Sequence, residues 1–217
     1  MYLTRHSDMI ADVALDIQIN IIGAGSIGSY TALALAKLGF NNITIADDGI
    51  IEEENIAPQF YRPRDIGKFK VDCLKRYIKE QTGVDIITIN TRIQEDNASL
   101  LLQVNSVLIL AVDSMSARKE ISLNVPCSYL VDARMAIEFL TIISMKRGNI
   151  SQNNVYRETL FDDSEAVQEA CTNKAISYTS LIAGAMVAKR VLDMLKGDHQ
   201  FTTINFDINS FDMVRLV

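Results

Sequence analysis

Tryptophan is absent from this chain, and 217 residues include only three prolines, three cysteines and two histidines. Three cysteines, at 73, 127 and 171, make neither a disulfide framework nor a C-x-x-C zinc ribbon, and such sparse, unpaired usage suits a reducing cytoplasm. His6 and His199 stand near opposite ends, so no Ser/His/Asp set and no metal-ligand cluster can be built from them. No positive charge is in surplus: 21 Lys and Arg against 27 Asp and Glu leave a net charge of −6. Nucleic acid, which calls for a clustered basic surface, is therefore not expected as a partner. Nor is a membrane. Residues 1–16 lack the apolar core of a signal peptide, and the charge-free run 175–188 is too short to span a bilayer. What remains is 48% hydrophobic and 22% charged, the balance of an ordinary globular protein, long enough for one α/β domain over 1–217.

Strand candidates rich in Ile, Val and Leu fall at 17–22, 42–46, 85–90, 106–112 and 128–132. Helix candidates lie between them at 26–38, 68–81, 97–104 and 115–122. Strands this apolar, alternating with helices, predict a Rossmann-like, mostly parallel sheet covered on both faces. Beyond Ala136 a strand is expected over 137–145, then a polar, acidic stretch at 147–170 without period, then a long helix over about 174–196 stopped at Gly197. Strands at 201–206 and 211–216 around Asn209-Ser210 predict a hairpin, an antiparallel C-terminal extension of the sheet.

The chemistry concentrates between Ile19 and Lys70. The first strand runs into Gly23-Ala24-Gly25-Ser26-Ile27-Gly28 and then a helical pattern, the order in which N–H groups at a helix N-terminus receive phosphate. Asp47 ends the second strand, where a carboxylate can accept from a ribose; the structural alternative is a turn with Asp48-Gly49. Asn55 and Gln59 lie in an irregular polar stretch, and Asn55 serves either a phosphate or a simple Asx turn. Lys70, expected one turn into a helix opened by Asp65-Ile66-Gly67, can reach back over phosphates; Lys68, Lys75 and Arg76 read as solvated. Asp113 follows a buried strand and is placed to hold Mg²⁺ against a triphosphate, or to N-cap the helix at 115–122. Asp132 and Arg134 either pair with each other or line the crevice. Cys171, expected just before the long helix with Thr172 or Asn173 as N-cap, is either an activated or a packed thiol.

Together these residues resemble the ThiF/MoeB-type adenylyltransferases, the superfamily that includes the ubiquitin-activating enzymes. The glycine turn, Leu35-Ala36-Lys37-Leu38-Gly39, Asp47, an N-x-x-R-Q element at Asn55 to Gln59, a D-x-G-x-x-K segment at Asp65 to Lys70 and a D-x-x-x-x-R at Asp113 to Arg118 carry the likeness. The resemblance implies a single adenylation domain over 1–217. It assigns ATP to Gly23, Gly25, Ser26, Gly28, Asp47, Asn55, Gln59 and Lys70, and Mg²⁺ to Asp113. It implies adenylation of the C-terminal carboxylate of a small ubiquitin-like or sulfur-carrier protein, or of a peptide, and places a family cysteine at Cys171. The opening Tyr2-Leu3-Thr4-Arg5-His6 resembles a family start whose arginine enters the neighbouring subunit's ATP site, which implies a homodimer with Arg5 acting in trans. Departures are specific: Pro58 stands where the motif has arginine, with Arg62, Arg64 or Arg134 as candidate substitutes. Gly49 replaces a second aspartate, and the paired zinc cysteines are absent, so no structural zinc is expected. A nicotinamide oxidoreductase would share 17–47 but leave Asn55, Lys70 and Asp113 without a reason. A non-catalytic partner subunit would tolerate Pro58.

Overall fold

The computed structural model describes residues 7–101, 103–163 and 175–217. Eight strands form one sheet in the order β3-β2-β1-β4-β5-β6-β7-β8: Gln18–Ile22 (β1), Ile43–Ala46 (β2), Ile87–Ile89 (β3), Ser106–Leu110 (β4), Tyr129–Ala136 (β5), Phe139–Lys146 (β6), Thr202–Asp207 (β7) and Asp212–Leu216 (β8). The first five are parallel to their neighbours, and β5 to β8 continue antiparallel. The predicted α/β architecture and its antiparallel extension both hold. Helices are Ser7–Ile10 (α1), Ser26–Leu38 (α2), Lys70–Thr82 (α3), Met115–Asn124 (α4), Ile150–Glu158 (α5) and Ser177–Leu195 (α6).

Strand alternation sorts the core into two layers. Ile19 and Ile21 of β1 pack with Leu35, Leu74, Ile78, Val187 and Val191 of α2, α3 and α6. Ile22, Leu108 and Leu110 face the other way, onto Ala117 and Ile121 of α4 and Tyr156 of α5. Burial of this kind contributes about 1.5–3 kcal/mol per large aliphatic side chain. From β1 the chain steps to β2 and β3 on one side, then returns to β4 on the other. The crevice beyond the C-terminal ends of β1 and β4 is the switch point where ligands settle in open α/β sheets.

Several elements differ from expectation. The stretch assigned to a helix at 97–104 is a 3₁₀ segment, Glu95–Leu101, whose Ala98 and Leu101 alone reach the core. The polar region after 147 contains α5, capped by Asn149 accepting from the Gln152 N–H and buried only through Tyr156, so it offers no apolar stripe to read. β4 stops at Leu110 rather than 112, while β5 runs on to Ala136 and turns through Ile137, φ 46°, into β6. α6 begins at Ser177 with Ile176 as N-cap, so neither Thr172 nor Asn173 caps it and the helix-terminus argument for Cys171 lapses. Cys171 and Arg5 lie outside the described residues. Cys73 and Cys127 are buried as expected, and burial pushes the Cys127 thiol up to about 11.

Candidate functional site

The glycine turn sits between the ends of β1 and β4. Gly23 has φ +99°, and a Cβ there would lie 2.8 Å from the Ala111 carbonyl carbon. A Cβ on Gly28 would be driven into the Gly23 carbonyl, inside contact distance of its oxygen and 2.9 Å from its carbon. Both glycines are therefore required by the chain itself. Gly25 is different. A Cβ there would meet only Gln59 Nε2, at 4.0 Å, so the space above it is open. Gln59 Oε1 beside it is buried and has no hydrogen-bond partner among the described residues. An open cradle bordered by an amide that is not fully hydrogen-bonded is the geometry of a position left for a ligand.

Asp47, at the end of β2, accepts from the Ala24 N–H through Oδ2 (2.7 Å) and from the Gly49 N–H through Oδ1 (2.7 Å). A carboxylate offers about four acceptor positions, so two remain for a ribose. The turn with Gly49 and the ribose reading are thus compatible. A Cβ at Gly49 would meet Asp47 Oδ1 at 2.8 Å and Lys70 Nζ at 3.3 Å, so ammonium and carboxylate converge beside that residue. Lys70 is the first residue of α3 rather than one turn in, and its N–H donates to Gly49 O (3.0 Å).

Asp113 is exposed, just past β4 and beside the turn. It is not the helix cap: Ser114 is, with its hydroxyl accepting from Ala117 N. Asn55 Oδ1 accepts from the Glu52 N–H (3.0 Å), closing a one-turn 3₁₀ helix, so the local-turn reading describes that contact. Lys68 and Arg76, read as solvated, instead hold the fully buried Asp65, joined by the Tyr77 hydroxyl. Burial raises the Asp65 pKa, but the two cations outweigh it and leave the carboxyl below its usual range. Among the candidate replacements for the missing arginine, Arg62 stacks on Tyr77 at 4.0 Å and faces Glu80. Arg134 spends its guanidinium on Asp132 and Thr159. Arg134 pairs with Asp132, as the plainer of the two sequence readings has it.

Two partners escaped sequence reading: Tyr156 in the cluster around Asp132, and Asp163 at the start of α4. Asp132, fully buried on β5, binds Arg118, Arg134 (2.7 Å) and the Tyr156 hydroxyl (3.1 Å), while Arg118 also donates to the Val112 carbonyl, next to Asp113. Asp163 accepts from the Met115 N–H (2.6 Å) and Ser116 N–H at the start of α4, and the Ser116 hydroxyl together with these N–H groups lowers its pKa. The charged pair at the end of an apolar strand was the signal by which the sequence reading found Asp132 and Arg134; Tyr156 and Asp163 offered none.

A model of the ThiF family matches residues 11–216. The chain belongs to the ThiF family. Similar proteins include the NEDD8-activating enzyme E1 catalytic subunit of Arabidopsis thaliana, 34% identical over 121 residues, covering 55% of this chain and 26% of that protein. Another is the adenylyltransferase and sulfurtransferase MOCS3 of Culex quinquefasciatus, 29% identical over 100 residues, covering 45% and 23%. This ThiF chain thus spans about a quarter of the length of the curated relatives it matches. Among solved structures, PaaA superposes with a TM-score of 0.73 at 16% identity, over 96% of this chain and 65% of that one. E. coli MccB with ATP gives 0.70 at 15%, over 96% and 66%, and both show the shared fold.

Proposed function

We propose that this ThiF-family chain is a cytoplasmic adenylyltransferase that binds Mg·ATP across the β1/β4 switch point. The open cradle at Gly25, bordered by the Gln59 amide nitrogen at 4.0 Å, carries the reading. Phosphates would lie along residues 23–28 with the ribose on Asp47. Lys70 would neutralise phosphate charge, and Asp113 would share Mg²⁺ with phosphate oxygens, as that ion prefers one or two carboxylates. A carboxylate oxygen of the acceptor attacks the α-phosphorus, a P–O bond forms, and the bond to pyrophosphate breaks. Rate comes from positioning and charge neutralisation, with no proton to move. The resemblance to ThiF/MoeB-type enzymes supports as acceptor the C-terminal carboxylate of a small ubiquitin-like or sulfur-carrier protein, or of a peptide, in keeping with relatives named as a NEDD8-activating enzyme and as an adenylyltransferase and sulfurtransferase. A homodimer with Arg5 acting in trans is part of the same proposal.

Calorimetry tests it: Mg·ATP binds, Asp113→Ala weakens it at least about tenfold, as loss of a charged contact does, and NADH does not bind. NADH binding without ATP would make the chain an oxidoreductase. Binding of neither would favour a non-catalytic partner subunit, a reading that Pro58 supports, since Arg62 and Arg134 are committed elsewhere and only exposed Arg64 remains of the three candidates.

A thioester at Cys171 would follow adenylation, the thiolate displacing AMP from the acyl group. Carrier-dependent, reductant-labile adduct is expected in the wild type and absent in Cys171→Ser; persistence in the variant would end that role.

A further inference from the structure

With Pro58 in place of the motif's arginine, the segment 55–61 has lost a charge it could have aimed at phosphate, yet it still grips the glycine turn. The Phe60 N–H donates to Ser29 Oγ (3.2 Å), the Gln59 amide lies over Gly25, and Tyr61, nearly buried, donates its hydroxyl to the Ala24 carbonyl (2.7 Å). We propose that Tyr61 is a positioning residue: by holding the Ala24 carbonyl it aims the Gly25 N–H at the ligand and seats Asp47 for a ribose. This rests on the nucleotide reading of the site.

The argument is one of peptide planes. The Ala24 N–H belongs to the plane shared with Gly23, and its C=O to the plane shared with Gly25. Asp47 pins the first (2.7 Å) and Tyr61 the second. With both held, Ala24 has no free dihedral, although the glycines on either side are the most permissive residues available. In a trans peptide the C=O and N–H point in opposite directions. Engaging the Ala24 carbonyl inward therefore turns the Gly25 N–H outward, to the side away from the phenol. No other described side chain binds that carbonyl. The phenol is also kept protonated, as a donor must be: burial and the nearby Asp47 charge raise its pKa well above the ordinary range.

Tyr61→Phe keeps the ring and removes only the donor. Hydrogen exchange in the free protein reads the pin directly. The Ala24 amide is expected to exchange at least about tenfold faster in the variant, while Ile109, in the middle of β4, keeps its protection once global stability is allowed for. Calorimetry with Mg·ATP, and with inorganic tripolyphosphate as a probe lacking ribose, should each show roughly 3–10-fold weaker binding, the worth of one hydrogen bond. A merely structural role would slow or speed both amides together and leave affinity per folded molecule unchanged; that result overturns the proposal. Equal ATP affinity in the two proteins overturns it as well, even if Ala24 exchange rises. If the wild type binds neither ATP nor tripolyphosphate, the nucleotide reading fails first and takes this role with it.

Discussion

Gly28→Ala is expected to cost more than about 4 kcal/mol, a large share of the roughly 5–15 kcal/mol that a folded domain has in reserve. The added methyl would occupy the volume of the Gly23 carbonyl, and that carbonyl cannot retreat. Gly23 is itself wedged against Ala111, whose N–H is bound to Ile22 O (2.8 Å), so relief requires α2 to pull away from β1 and β4 together. Overpacking against a flexible side chain typically costs 1–3 kcal/mol; against two backbone segments it costs more. Urea unfolding followed by circular dichroism, or failure to recover soluble protein, is the readout. Gly25→Ala is the matched control. Its φ of −79° is negative, its ψ of −148° lies just beyond the broad β region, and its methyl meets nothing nearer than 4.0 Å. It should cost no more than about 1–3 kcal/mol, the strain of a sparsely populated backbone, less than Gly28→Ala, yet lose Mg·ATP affinity, because the methyl stands where a phosphate would approach. A stable Gly28→Ala would contradict the turn geometry. A Gly25→Ala protein that binds ATP as well as the wild type would remove the main support for the nucleotide site.

That contrast shows what the sequence could tell and what it could not. The G-x-G-x-x-G spacing announced the turn because its residues are consecutive, and the apolar strands announced the parallel sheet because both faces are covered. Family motifs then located Asp47, Lys70 and Asp113, and the fold brings all three to the edge of the β1/β4 crevice or beside it. Which glycine serves the fold and which leaves room is a matter of contacts with Ala111 and Gln59, remote in sequence. α5 was missed because a helix buried through Tyr156 alone has no periodic stripe. Lys68 and Arg76 were misread because Asp65, their shared partner, is recognisable as buried only once α3 packs over it. Tyr61 was passed over because nothing in the local pattern shows that its hydroxyl reaches back 37 residues to Ala24.

Asp132→Asn is the other substitution expected to act strongly, by about 3–5 kcal/mol, since removing one member of a buried ion cluster strands its partners. Asp132 takes bonds from two guanidiniums and a phenol, all largely or wholly out of water. An amide of the same shape keeps its acceptor oxygen for one guanidinium but turns its NH₂ donors toward the other. For a chain of this length the midpoint of thermal unfolding should drop by roughly 6–20 °C. The cluster's value is not the same as its stability, however. A fourfold replacement, Asp132→Leu with Arg118→Met, Arg134→Met and Tyr156→Phe, leaves no charge stranded and should regain most of the loss, as apolar substitutes for buried ion pairs often do. It cannot restore the bond from Arg118 to the Val112 carbonyl, which holds the turn carrying Asp113, nor the tie from Arg134 to Thr159 at the end of α5. The repacked protein should therefore be stable yet require more Mg²⁺ to bind ATP than the wild type. If its Mg²⁺ requirement is unchanged, the cluster only fills the core beneath α4 and α5; if it rises while the melting temperature recovers, the buried charges are kept for the placement of Asp113.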